Sequence, residues 1–101
     1  MNPKEKARKI AFERLKRLLK LAEEVSKSER KLARRYVEIA FRLKMKHKLK
    51  IPRRYRLRFC RKCFTFWTSE TLRVRIKKDR IEYICLVCGF RRRIPKRKRE
   101  K

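Results

Sequence analysis

The chain has 101 residues, with 37 Lys+Arg against 10 Asp+Glu and a single histidine, for a formal charge of +27. So short a chain holds one domain, or two small modules sharing a modest core, which excludes a large enzyme cleft. The positive excess calls for a polyanion as partner, nucleic acid first, and no run approaches the roughly 20 apolar residues that span a bilayer, so no membrane partner is expected.

Met1 to Lys6 leads straight into a charged amphipathic pattern with no apolar leader core, and a cytoplasmic location is expected. Asn2, Pro3 and Glu5 have the form of a helix start: a side-chain acceptor at the cap, proline at the first position and a carboxylate in the first turn. Ala11, Leu15, Leu18, Ala22 and Val25 then recur at helical steps, with Ile10, Leu19 and Leu21 widening the stripe, so the spacing predicts a helix over 3–25. Ser26 and Glu29, three residues apart, read as a capping box that opens a second helix. Leu32, Tyr36, Ile39 and Leu43 carry its apolar face to about His47, and the short connection predicts an antiparallel pair. One apolar side of that pair needs cover from elsewhere.

From Arg42 to Lys62 eleven of 21 residues are Lys or Arg and none is acidic, with Pro52 in the middle. This predicts an extended basic linker. The period then changes to two: Leu72, Val74 and Ile76 alternate with Arg73, Arg75 and Lys77, and Lys78-Asp79-Arg80 reads as a turn before Ile81, Tyr83 and Cys85. A hairpin with a basic outer face follows. Arg91 to Lys101 has eight basic residues in eleven plus Pro95, and a mostly disordered tail is expected.

Cys60-Arg61-Lys62-Cys63 and Cys85-Leu86-Val87-Cys88 are two CxxC pairs separated by 21 residues. Each pair places two thiolates on one tight turn, and two turns brought together give a closed four-sulfur site with no open position for a substrate. One structural Zn2+ is the predicted cofactor. Two disulfides or four buried thiols remain as alternatives, the former being a habit of hyperthermophile proteins. Gly89, the one glycine, follows the last cysteine, where a positive φ is often needed.

Arg53, Arg54, Arg56, Arg58, Arg61, Lys62, Arg73, Arg75, Arg91, Arg92 and Arg93 are expected to converge around the metal with few carboxylates to neutralise them, and the planar guanidinium fork suits phosphate. They are the candidate RNA-binding residues. Phe64, Phe66 and Tyr83 read as filling for a minimal ribbon; Trp67, on the opposite strand face from the two phenylalanines, is a candidate for base stacking or partner contact. Catalysis has little support. His47 has no orienting group beside it, Glu70, Asp79 and Glu82 form no carboxylate cluster, and one glycine cannot build a phosphate loop.

The order of these features resembles a known family, archaeal ribonuclease P protein component 4, related to a small zinc-binding subunit of eukaryotic nuclear ribonuclease P. The resemblance is carried by the helix pair, the first CxxC, the Arg73-Val74-Arg75 strand and, most specifically, the block from Tyr83 through Cys85, Cys88 and Gly89 to Arg92. A Pro-Gly turn common in the family before that strand is replaced here by Thr65 to Thr71. The resemblance implies an RNA-binding, non-catalytic subunit of the ribonucleoprotein that removes 5′ leaders from precursor tRNA, the RNA supplying the active site. It also implies contact with the specificity domain of ribonuclease P RNA, and ribonuclease P protein component 1 as heterodimer partner on the helical half. Leu15, Leu18, Tyr36 and Phe41 are the candidates for core or partner contact there. Two rivals stand beside it: a ribosomal or transcription-associated zinc ribbon, and an autonomous metal-dependent nuclease.

The expected fold class is α+β: a helical hairpin over 1–47, a basic linker over 48–58, a four-cysteine zinc ribbon of short antiparallel strands over 59–94, and a basic tail over 95–101.

Overall fold

A computed structural model describes residues 2–96. Helix α1 runs Pro3–Val25 and α2 runs Arg30–His47, and three strands follow, β1 Leu72–Ile76, β2 Arg80–Cys85 and β3 Arg91–Pro95, as the α+β reading expects.

Helix α1 starts as its sequence predicts: the Asn2 side chain accepts the Glu5 N–H at 2.8 Å, satisfying one of the donors a helix start leaves free. The capping box expected at Ser26 does not form. Ser26 closes α1 instead, its hydroxyl donating to the Glu23 carbonyl at 2.9 Å, and Glu29 caps α2 without a side-chain hydrogen bond. The reason is the tightness of the connection: Glu29 N–H still donates to Val25 O at 2.8 Å, which keeps Ser26 against the preceding turn. Helix α2 ends at Lys48, in the left-handed region at φ 52°. Arg8 reaches across from α1 to the carbonyls of His47 and Lys48, at 3.2 and 3.3 Å, placing a cation on the negative end of α2.

Ala11, Leu15, Leu19 and Ala22 of α1 meet Ala33, Val37 and Ala40 of α2, the alanines letting the helices approach closely. Their open apolar side is covered by the chain that follows. Leu49, Ile51 and Tyr55 are buried in the same cluster, together with Phe59 and Phe66. The basic linker is therefore a structural layer rather than an extended tether, with a short 3-10 turn at Arg53–Tyr55. Apolar residues spaced through the Lys/Arg run make this possible: they face the helices while the charges face solvent.

The sheet is antiparallel in the order β1-β2-β3. Arg91–Pro95, where the tail-like composition from Arg91 overlaps the end of the expected 59–94 ribbon, is its third strand, and Ile94 pairs opposite Ile81, itself opposite Ile76. Alternation puts Arg91 and Arg93 on one face, Arg93 against Glu82, and Arg92 on the other, so the three charges do not stack side by side and do not oppose pairing. The rest of the expected tail, 97–101, lies outside the described residues. The Thr65–Thr71 loop closes on itself: Thr68 N–H donates to Thr71 Oγ1 at 2.8 Å, and Thr71 N–H to Thr68 O at 3.1 Å. Two threonines thus do the turn-forming work of a Pro-Gly pair.

The radius of gyration, 15.3 Å, exceeds the roughly 13 Å of a compact domain of this length, and the extents are 48 × 41 × 19 Å. A plate so thin has little interior at the sheet end, where the cysteines lie.

Candidate metal centre and nucleic-acid interface

The two cysteine pairs sit on two turns of the same kind. In the first, Phe64 N–H donates to Cys60 O at 2.9 Å and Cys60 N–H to Thr65 O at 2.9 Å; in the second, Gly89 N–H donates to Cys85 O at 2.9 Å and Cys85 N–H to Phe90 O at 2.8 Å. Each turn needs a left-handed residue after its second cysteine. Gly89 supplies it at φ 80° without steric cost, whereas the first turn forces Phe64 to φ 62°. The ring of Phe64 lies 5.4 Å from that of Phe41, against the helical core, and this burial offsets the backbone cost.

The sheet and the turns bring all four sulfurs within 4.8 Å of one another. Cys60 and Cys88 sulfurs are 3.6 Å apart, Cys63 and Cys85 sulfurs 3.7 Å, far beyond a disulfide bond, and all four cysteines are free. A tetrahedral four-thiolate zinc site, with Zn–S near 2.3 Å, has sulfur edges of about 3.8 Å, so the set fits such an ion. The N–H groups of Lys62 and Cys63 point at Cys60 Sγ, at 3.4 and 3.5 Å, an arrangement that suits a thiolate. Burial pushes the Cys60 thiol up to about 12 and also raises Cys88. Cys63, raised by burial too, is brought down to about 7 by its hydrogen bonds to Thr65 and to the neighbouring cysteines. Four thiolates this close therefore need a cation to hold them deprotonated.

Trp67 stands beside this centre, buried and stacked on Tyr83 with ring centroids 6.2 Å apart. It is covering for the cysteine cluster, not an exposed platform for a base. Phe66 belongs to the helical core, and Phe41 joins it through an edge contact with Phe59.

The strand register sorts the basic residues onto two faces. Arg73 opposes Ile84, which opposes Arg91, and Arg75 opposes Glu82, which opposes Arg93, so these four arginines share one face. Glu82 sits buried in their midst and accepts from Arg80 at 3.1 Å and Arg93 at 3.5 Å. The Arg80 hydrogen bond above all, opposed by burial and aided by the charges of Lys77, Arg80 and Arg93, holds its carboxyl below the usual range. Arg92, opposite Tyr83, belongs to the other face. Arg53, Arg54, Arg56 and Arg58 lie on the linker layer and Arg61 and Lys62 on the first cysteine turn.

Not all of the expected cations are free. Glu23 of α1 binds Arg54 at 3.2 Å and Arg58 at 3.0 Å, tying the linker to the helix, and Glu82 engages Arg93. Among the described residues, Arg53, Arg56, Arg61, Lys62, Arg73, Arg75, Arg91 and Arg92 form no ion pair. The organising roles of Glu23 and Glu82 had no sequence signal beyond their being acidic in a basic chain. On the helices, Leu15 is fully buried and so serves the core. Leu18 lines an open groove with Leu21, Ile39 and Leu43, while Tyr36 and Phe41 are half-buried against the core. No described helix is long and apolar enough to cross a membrane.

A helix pair sealed by a basic layer, and joined to a four-cysteine ribbon with an arginine-lined sheet face, defines a small, strongly basic ribbon protein whose cysteines could hold a metal ion. The chain belongs to the family of the RNAse P Rpr2/Rpp21/SNM1 subunit domain, whose model matches residues 14–89. It is 42% identical over 92 residues to Ribonuclease P protein component 4 of Archaeoglobus fulgidus, covering 91% of this chain and 86% of that one. The protein of the same name from Pyrococcus abyssi is 40% identical over 109 residues, covering 97% and 93%. Among solved structures, a chain of the cryo-EM structure of archaeal Ribonuclease P with mature tRNA superposes with a TM-score of 0.81 at 41% identity, covering 87% of this chain and 78% of that one. The structure described as Pfu Rpp21 superposes with a TM-score of 0.59 at 40% identity, covering 85% and 99%.

Proposed function

We propose that this chain is an RNA-binding protein subunit of ribonuclease P, supporting removal of 5′ leaders from precursor tRNA. Family membership over residues 14–89, together with the likeness to a chain of archaeal ribonuclease P with mature tRNA, carries the reading. The arginine face fits it. Arg73, Arg75 and Arg91 project from a rigid sheet, which presents guanidinium forks at fixed spacing to phosphates.

Cys60, Cys63, Cys85 and Cys88 hold one structural Zn2+, which cross-links the two turns and compensates for the thin interior at that end. The chain acts as a positioning subunit in the cytoplasm and supplies no catalytic residue. The specificity domain of ribonuclease P RNA is its RNA partner, with precursor tRNA bound by the assembly. Ribonuclease P protein component 1 is the protein partner, docking on the helical half, where Leu18, Leu21, Ile39 and Leu43 line a groove flanked by Arg14 and Arg17.

The test is chemical footprinting of ribonuclease P RNA by the metal-loaded chain, with and without component 1, at about 0.3 M salt, where non-specific binding is suppressed. Ribosomal RNA and duplex DNA serve as competitors. A discrete footprint that sharpens with component 1 and survives both competitors is expected. Diffuse protection erased equally by either competitor refutes the reading in favour of a generic basic ribbon, and RNA cleavage by the purified chain alone refutes its non-catalytic part.

A further inference from the structure

One cavity lies where the end of α2, the linker layer, the first cysteine turn and β3 meet. It has a volume of about 280 Å3 and is lined by the side chains of Lys44, Lys50, Arg56, Arg61 and Arg92 over a floor of Leu49 and Ile51. Five basic residues line it, Lys44 with its ammonium also 5.5 Å from the centre of the Phe41 ring, and among the described residues its wall has no carboxylate or aromatic side chain. Among the described residues none of the five forms an ion pair.

Like charges gathered this way repel, and the arrangement is costly unless something neutralises it. Arg92 bears most of the cost. Its Nη1 is buried with no hydrogen-bond partner among the described residues, and burial, with the adjacent charge of Arg61, holds the guanidinium below its ordinary value. Arg56 is oriented from behind, its Nε donating to the Ile51 carbonyl at 3.2 Å, which leaves the end of its fork for another acceptor. A buried, unpaired donor beside pre-oriented cations is a site built for an anion.

From this geometry we infer that the cavity is a discrete subsite for one phosphodiester of an RNA backbone, with the half-buried Arg92 as its anchor. The absence of an aromatic wall excludes a stacked base, and the volume falls just short of the roughly 300–1,000 Å3 typical of sites for larger organic ligands. The inference rests on the RNA-binding reading and sharpens it: Lys44 and Lys50 join the contact set, and Arg92 acts on the sheet face opposite Arg73, Arg75 and Arg91, so RNA wraps the edge of the plate.

The test uses the full metal-loaded chain and Arg92→Met, which keeps the apolar stem and removes the fork, with Arg73→Gln as the control on the other face. Two arms are read. In the first, the arginine side-chain N–H resonances are followed by NMR as a short single-stranded oligouridylate is added. Saturable shifts at Arg92, Arg61 and Arg56 that vanish in Arg92→Met are expected; linear, uniform shifts over all arginines overturn the subsite. In the second, phosphate-ethylation interference is mapped on ribonuclease P RNA. Arg92→Met is expected to bind about tenfold more weakly, with a salt slope lower by about 1, and to lose interference at one localised phosphate position that Arg73→Gln retains. Unchanged interference in Arg92→Met overturns the subsite while the subunit reading stands. Saturable oligouridylate binding by a chain that fails to discriminate ribonuclease P RNA from the competitors sustains the subsite and sinks the subunit reading instead. A structural role for Arg92 is separated by its melting temperature without RNA, which the subsite predicts to be unchanged or raised by Arg92→Met, and which a structural role lowers.

Discussion

The two cysteine turns place different residues in the same left-handed position, and this sets up a matched stability comparison. At Gly89, φ is 80° and an added Cβ meets nothing within 4 Å, so Gly89→Ala introduces no clash. Its cost is the left-handed conformation alone, roughly 1–2 kcal/mol, reduced by about 0.4–1 kcal/mol because alanine also has less freedom in the unfolded chain. The expected loss is therefore about 1 kcal/mol. Phe64 already bears that conformational cost at φ 62°, so Phe64→Gly relieves it but gives up a half-buried ring, worth about half of the roughly 1.5–3 kcal/mol of a fully buried one, plus about 0.5–1.5 kcal/mol for its pairing with the Phe41 ring. Phe64→Ala gives up the ring without relief. Glycine is thus expected to exceed alanine in stability by about 1 kcal/mol at both positions, and phenylalanine to exceed both at 64. The measurement is denaturant unfolding at fixed free metal, because metal binding to the folded chain adds to apparent stability. A 1 kcal/mol change corresponds to about 4–8 °C in melting temperature for a chain of this size. Alanine equal to or better than glycine at either position refutes the strain argument, and Phe64→Gly more stable than the parent chain refutes the compensating role of the ring.

Leu15→Ala, at a fully buried position, is expected to destabilise by about 2–5 kcal/mol, while Leu18→Ala in the open groove costs less and instead weakens binding of the protein partner; unfolding curves and partner pull-down separate the two. Chelation of the metal is expected to unfold the ribbon, and acidification to release the metal, because protons compete for thiols that burial raises, Cys60 to about 12; metal retention that does not fall between neutral and mildly acid pH contradicts this. Glu82 titrates in the folded chain below its ordinary value of 4.5, so its contribution is present above that value and is lost as pH falls through the depressed one. Glu82→Gln is expected to destabilise at neutral pH, leaving Arg75 and Arg93 around a neutral group, and to flatten the acid limb of stability against pH; an acid limb identical to that of the parent chain removes Glu82 as its source.

The features legible in the sequence were the local ones. The Asn2 cap, the helical spacing of Ala11, Leu15 and Ala22, the alternation of Leu72 to Lys77 and the paired CxxC motifs each report on neighbours a few residues apart, and each has one physical solution. The Tyr83 to Arg92 block carried the family resemblance for the same reason: it contains one whole cysteine turn, closed by Gly89 N–H on Cys85 O and Cys85 N–H on Phe90 O. Composition misled where it stood in for partners. Arg91–Pro95 reads as a charged tail until β2 offers it an edge, and the linker reads as a tether until the bare side of the helix pair takes up Leu49, Ile51 and Tyr55.

What the sequence by itself determined is a pair of helices, a basic hairpin and four cysteines at ribbon spacing, because periodicity and short-range turn chemistry do not depend on the rest of the chain. Only the tertiary structure decided which charges are neutralised by Glu23 and Glu82, that Trp67 covers the cysteine cluster instead of facing solvent, and that the Arg92 Nη1 is buried with no partner among the described residues. Those outcomes depend on groups brought together from distant segments, and a charge or a ring has no fixed role until its neighbours set its solvation.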